Sequence, residues 1–310
     1  MPKTIREVYG DSLLKYGLSD KRVVVLDSDV SASTRTDIFA AKCPERFFNL
    51  GIAESNMVGF AAGLATCGKI PFANTFAVFM STLGLLGARA FGSYSGLNIK
   101  LMGAYCGLSD AFDGASHHSL EDLAVMRSLP GFAVYTATDA ILTDWLVKNA
   151  IEQYGPMYVR LSRDALPDIY SEGEQFETGK GKILREGNDA AIIACGVMVS
   201  KALEAADILA ERGISARVVD MFCVKPIDRE LIMDCAKNAK VIVTAEEHSV
   251  IGGLGGAVAE VLAEAGASTP LCRVGVNDVH AESGLYPLLL EKYGLSAGHI
   301  VKKVTEALGK

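Results

Sequence analysis

The sequence predicts an α/β fold: two doubly wound domains, each a mostly parallel sheet with helices on both faces. Two observations predict it. Short β-branched, apolar runs alternate with helical patterns along the chain, and parallel strands need crossovers of helical length. The alternation is interrupted once, by the polar segment "DIYSEGEQFETGKGKILREGND" (168–189), and then restarts. The expected division is a domain at 1–166, a linker at 167–187 and a shorter domain at 188–310.

The elements follow in order. "RVVVLD" (22–27) reads as a buried strand ending in an acid, and 53–68 as a helix closed by Gly68. "IPFANT" (70–75) is a strand, 77–91 a helix, "LNIKLMGAY" (97–105) a strand, 119–129 a helix and "FAVYTA" (132–137) a strand. Helix 139–154 takes Asp139 as its N-cap, and "MYVRLS" (157–162) is the next strand. The polar segment is expected to connect the domains, with room for a short hairpin. Beyond it come strand 190–196, helix 200–212, strand 215–221, helix 228–238 and strand 240–247. A Gly-rich loop leads into helix 256–265, then strand 271–276 and helices 285–292 and 296–308.

Composition narrows the function. The formal net charge is −7 and no Lys/Arg block occurs, which argues against nucleic acid or an anionic membrane as partner. Half the chain is apolar and mean hydropathy is positive, more than one chain needs, so an oligomer is expected. The seven cysteines are scattered without a C-x-x-C pair, as in reduced, cytoplasmic thiols. No charge lies between Lys69 and Arg89, nearly a membrane-spanning length. Pro71, Asn74, Thr75, Ser81 and Thr82 break that reading in favour of a strand and a helix buried on most sides, at a subunit interface.

Several motifs carry chemistry. "HSVIGGLGG" (248–256) is a poor dinucleotide fingerprint, because Val258 stands where the third glycine belongs, and it is better read as a structural turn. In "FDGASHHSLED" (112–122), Asp113 and Gly114 make a turn, and Ser119 with Asp122 approximates a capping box. His117 and Asp113 either bind a polyol and move protons at a sheet edge or are satisfied loop residues. Glu54 stands in "GIAESNM", an acid at a helix start; it either answers the helix dipole or hydrogen-bonds a ligand nitrogen. Phe76 and Phe79 are core residues or a ring platform for a flat heterocycle.

Taken together and in order, "DSDVSAST", "RFFNLGIAESNMVGFAAGLA", "PFANTFAVF", "DGASHHSLEDLAVMRSLPG", "VRLSR" and "VTAEEHSVIGGLGGAVAE" resemble the C-terminal half of transketolase over essentially the whole chain. The resemblance implies a pyrimidine-binding domain and a C-terminal domain that use thiamine diphosphate to move a two-carbon ketol unit from a ketose, phosphorylated as a rule, to an aldose. The family's G-D-G…N motif for diphosphate and Mg2+ (or Ca2+) is not found here. A partner N-terminal subunit is therefore implied, in a heterotetramer of two plus two. By position, Glu54 would hydrogen-bond the cofactor's aminopyrimidine, Phe79 would stack on it, Phe76 would line the pocket, and Asp29 and Val30 would lie beside it. His117 and Asp113 would contact substrate hydroxyls, and Arg6, Ser33 and Arg163 would grip its anionic end.

The chain departs from the family at Tyr105 (usually His), Ala111-Phe112 (usually Gly-Glu), Thr82 (usually aromatic) and His118 (usually Gln). These departures leave the cofactor machinery intact and imply a less usual anionic sugar, a sulfonate among them. Deoxyxylulose-phosphate synthase and the 2-oxo-acid dehydrogenase β subunit are thiamine-dependent alternatives. A non-enzymatic homologue is disfavoured by the retained Glu54, Phe76, Phe79 and His117.

Overall fold

The computed structural model describes residues 3–310. Twelve strands form two sheets. The first holds β1 (Val23–Asp27), β2 (Phe47–Asn49), β3 (Ile70–Phe76), β4 (Lys100–Ala104), β5 (Ala133–Thr136) and β6 (Met157–Arg160). The second holds β7 (Lys182–Arg185), β8 (Ala190–Ala194), β9 (Ala216–Asp220), β11 (Ile242–Ser249) and β12 (Leu271–Val276), while β10 (Cys223–Lys225) crosses back to the first. The orders are β10-β5-β6-β4-β3-β1-β2 and β12-β11-β8-β9-β7. Every neighbouring pair is parallel except β10 on β5 and β7 on β9.

Burial explains the composition of the strands. Every residue of β1, β3 and β4 is buried, as sheets covered on both faces require. Each fully buried Val or Phe, such as Val25 and Phe72, contributes about 1.5–3 kcal/mol. The first sheet changes direction between β1 and β3, and such a switch point leaves a crevice at the carboxyl ends of its strands.

Several elements differ from expectation. The helix Ile5–Ser19 was not anticipated, although Thr4 and Glu7 form its capping box. Gly10 and Gly17 read as helix breakers. Here they admit a close neighbour: a Cβ on Gly10 would meet the Arg35 backbone, and one on Gly17 the Phe39 ring. The uncharged stretch is not one helix buried on most sides. It breaks into Ala77–Thr82, Leu85–Gly87 and a π-helical turn Ala88–Tyr94. Leu83, Leu86 (74% exposed), Phe91 and Tyr94 (91% exposed) face outward. Asp139 caps its helix as expected, accepting from Leu142 N at 2.8 Å.

The segment expected to link the domains carries β7, which pairs with β9. The strand β10, well inside the second half of the chain, pairs with β5. The expected linker therefore adds a strand to the second sheet, and the second half of the chain adds one to the first. Among the described residues no helix is long and apolar enough to cross a membrane, and all seven cysteines are free thiols.

Candidate active site

The candidate residues gather where strands of the first sheet end. After β1, the buried Asp27 carboxylate accepts from Val30 N at 2.7 Å and from the hydroxyls of Thr34 and Thr36 at 2.9 Å each. Burial raises the proton affinity of Asp27. These bonds fix the turn that carries Asp29 and Val30 and leads into the helical turn holding Ser33. Asp29 takes a left-handed backbone (φ 67°) and accepts from Asn49 Nδ2 at 2.8 Å.

Glu54 opens the helix Glu54–Thr66 and is 3% exposed. Its Oε1 accepts from Thr75 Oγ1 at 3.2 Å. Thr75 immediately precedes Phe76 at the end of β3, so this bond ties the carboxylate to the strand that carries the aromatic pair. A carboxylate with a single hydroxyl donor retains acceptor capacity for a ligand N–H.

Phe76 and Phe79 are not separate core residues. Their ring centroids lie 6.0 Å apart, and both rings meet His117 edge-on, at 5.9 Å and 5.3 Å. Val30 packs on the same cluster. Tyr105 stacks on Phe76 at 4.7 Å with the planes 16° apart. Tyr105 Oη accepts from Arg6 Nη1 at 2.6 Å, and the Arg163 guanidinium lies over the Tyr105 ring at 5.4 Å. Phe112 covers Arg163 from another direction at 6.0 Å. Rings on their faces attract both cations. Among the described residues Ser33 makes no side-chain hydrogen bond to either arginine; its N–H bonds back to Val30 O at 2.8 Å.

The turn bearing Asp113 and His117 is held from the second half of the chain. Leu108 N donates to Glu247 Oε1 at 2.8 Å, Tyr286 Oη donates to the same oxygen at 3.0 Å, and Gly284 N donates to Ala111 O at 2.9 Å. Burial pushes Glu247 up to about 7, opposed by the nearby Arg160. Ser116 Oγ lies 3.0 Å from His117 Nδ1, which leaves Nε2 for a ligand.

The expected capping box at Ser119 and Asp122 does not form. The helix begins at Asp122, and Ser119 instead exchanges two backbone bonds with Gly107. Asp122 is consumed by a buried bond from Arg160 Nε at 2.8 Å and another from Tyr158 Oη at 2.7 Å. Neither Arg160 nor Glu247 was singled out from sequence, though both lie in motifs that were: "VRLSR" and "TAEEH". The departures resolve locally. Thr82 Oγ1 bonds to Val78 O within its own helix at 2.6 Å, and His118 is buried.

The Gly-rich loop is a structural turn. Glu246 accepts from Leu254 N at 2.6 Å and Gly255 N at 2.8 Å, so an internal carboxylate already fills the helix start where a phosphate would bind. Gly253 makes room for this, since a Cβ there would collide with Glu246.

The donor set fits the pyrimidine end of thiamine diphosphate: a buried carboxylate with spare acceptor capacity beside two aromatic rings. Among the described residues the one clustered group of three potential metal-ligating side chains is Asp110, Asp113 and His117, and His117 is the member that meets both rings.

Comparisons with known proteins agree with this fold. Residues 1–168 match the transketolase pyrimidine-binding domain and residues 179–300 the transketolase C-terminal domain. A chain of Methanocaldococcus jannaschii named as a transketolase C-terminal section is 46% identical, the match covering 99% of this chain and 97% of that one. A 6-deoxy-6-sulfo-D-fructose transketolase subunit of Clostridium sp. is 42% identical over 97% of this chain and 94% of its own. A solved split-gene transketolase, described as an inactive β4 tetramer, superposes with a TM-score of 0.90 at 50% identity, covering 100% of this chain and 99% of that chain. The chain belongs to the transketolase family, as the C-terminal subunit of a split transketolase with its pyrimidine-binding and C-terminal domains.

Proposed function

We propose that this subunit, paired with an N-terminal subunit, transfers a two-carbon ketol unit from an anionic ketose to an aldose. The observation that carries the reading is the order of groups in one crevice. The buried carboxylate Glu54 bonds to Thr75, next to Phe76; Phe76 and Phe79 both meet His117; and Tyr105, stacked on Phe76, holds Arg6 and Arg163. That order matches a heterocyclic cofactor, a polyol and an anionic terminus.

Bound thiamine diphosphate would supply the electron sink for cleaving and remaking the ketol bond. Glu54 holds a proton at the cofactor's ring nitrogen, and Phe79 and Phe76 fix the ring plane, with Asp29 and Val30 alongside. His117 Nε2 exchanges a proton with a substrate hydroxyl, and Asp113 accepts from a neighbouring one. Arg6 and Arg163, with Ser33, bind the terminal anion. Phosphate remains the reference anion. The similarity to a subunit named for sulfofructose supports a sulfonate as the other one to test.

The partner would hold diphosphate and Mg2+. The exposed Leu83, Leu86, Phe91 and Tyr94 support an interface there, in a two-plus-two assembly, because so large an apolar face is unfavourable in water. The free cysteines suit a cytoplasmic setting.

The test is reconstitution. The purified chain is mixed with the product of a gene carrying G-D-G…N, thiamine diphosphate and Mg2+, and turnover is measured over phosphorylated, sulfonated and neutral ketoses. Turnover by this chain without a partner would overturn the split-site reading. Equal kcat/KM for neutral and anionic ketoses would overturn the anion end.

A further inference from the structure

Tyr105 and Gly107, just past β4, both take a left-handed backbone, at φ 56° and 61°. Glycine adopts that conformation freely. For a bulky aromatic residue it is strained, and it persists only where the surroundings over-determine it. The next four amides are all engaged. Cys106 N donates to Leu161 O, Gly107 N to Ser119 O and Ser109 N to Cys106 O, each at 3.1 Å. Leu108 N differs in kind: it donates to a side chain of the second half, Glu247 Oε1, at 2.8 Å.

That oxygen is itself held in place. Glu247 is 2% exposed and lies on β11. Arg160 Nη2 donates to its carbonyl at 2.6 Å, and Tyr286 Oη donates to the same Oε1 at 3.0 Å. Gly107 lets the carboxyl group come close, since a Cβ there would lie 2.3 Å from Glu247 Cδ. The strain upstream serves one side chain. The buried Tyr105 ring stacks on Phe76, accepts from Arg6 and lies under Arg163. Both cations of the anionic end therefore rest on a residue whose backbone is clamped from the other half of the chain.

We propose that Glu247 is a positioning residue for ketol transfer: through Leu108 N it keeps Tyr105 in its left-handed backbone, and so sets Arg6 and Arg163 for the anionic end of the ketose. This rests on the ketol-transfer reading above. Without the acceptor, Leu108 N is a buried donor with no partner, and the strained segment relaxes to satisfy it. The turn further along has its own tie to the second half, from Gly284 N to Ala111 O at 2.9 Å. Loss of the Glu247 bond therefore falls first on Tyr105, and the anionic end weakens while the cofactor end is left alone.

The experiment uses the reconstituted complex with glyceraldehyde as acceptor. Donors are fructose 6-phosphate, 6-deoxy-6-sulfofructose and hydroxypyruvate, the last having no sugar chain beyond the transferred unit. Glu247→Ala should raise KM about tenfold for the anionic ketose that the wild type uses, with little change in kcat and an unchanged KM for hydroxypyruvate. Glu247→Gln keeps an oxygen for Leu108 N and should restore KM to within about twofold of the wild type. If the alanine variant does not fold, Glu247→Asp, one methylene too short to reach Leu108 N, should show the same split. A folded Glu247→Ala or Glu247→Asp complex whose KM rises equally for both kinds of donor, or for neither, overturns the proposal. A glutamine variant as impaired as the alanine one overturns it as well. Absence of any ketol transfer by the wild-type complex would instead remove the parent reading, and the role of Glu247 with it.

Discussion

Arg160 Nε donates to Asp122 Oδ2 at 2.8 Å, and both side chains are fully buried. The pair joins the end of β6 to the helix that follows the turn bearing Asp113 and His117. Arg160 Nη2 also reaches Ser119 O at 3.1 Å and Glu247 O at 2.6 Å, and so spans both halves of the chain. Removing one partner leaves an unpaired buried charge, which costs far more than an exposed pair is worth.

Asp122→Ala should therefore destabilise the chain by about 3–5 kcal/mol. Urea unfolding of the isolated subunit measures it. Asp122→Asn keeps an acceptor for Arg160 and should cost less. A loss below about 1 kcal/mol for the alanine variant would show that water replaces the carboxylate.

Glu54→Gln should abolish most cofactor activation. With partner, thiamine diphosphate and Mg2+ present, exchange of the thiazolium C2 proton should fall by at least about a hundredfold. Unchanged exchange would return Glu54 to a helix-dipole role worth about 0.3–1 kcal/mol of stability.

Arg163→Ala should raise KM for an anionic ketose by about tenfold or more, with a smaller change in kcat. Tyr105→Phe deletes only the hydroxyl that accepts from Arg6 and keeps the ring under Arg163. A modest KM increase, about two- to fivefold, is expected of it. An unaltered KM in both variants would place the anion elsewhere.

Asp220 should make stability fall as pH rises. Buried at the end of β9, it accepts from Tyr170 Oη at 2.8 Å, and burial pushes it from 3.8 to about 7. Between those values the native state holds a proton that the unfolded chain has lost. Its contribution is thus complete below about pH 3.8 and declines until about pH 7, on the order of 2–4 kcal/mol in all. Asp220→Asn should flatten that part of the urea midpoint's pH dependence. An unchanged profile would mean that water reaches the carboxylate.

Much of the fold was legible because strand burial leaves a local mark. The runs at β1, β3, β8 and β11 open on apolar residues and are buried over nearly their whole length, as strands covered on both faces must be. The helix Ile5–Ser19 was hidden because its Gly10 and Gly17 serve a neighbouring helix, which local pattern does not reveal. The break in the uncharged stretch was hidden for a similar reason: Gly84 and Gly87 press against Met80 and Val58. The uncharged composition was correctly an alert to apolar surface, but which face would remain open depended on packing.

By itself the sequence determined the alternating α/β pattern, the family resemblance and the types of group present: a lone acid at a helix start, two phenylalanines and a His-Asp turn. These are local or ordered along the chain, so motifs carry them. Tertiary structure alone decided that Phe79 meets His117, that Tyr105 sits between two arginines and Phe76, that Asp122 serves Arg160 rather than a helix cap, and that Asp110 stands beside Asp113. Each depends on strand ends brought together across the sheet, or on bonds from the C-terminal half that fix one turn. Such contacts are selected by the burial of the whole molecule, and no short stretch of sequence encodes them.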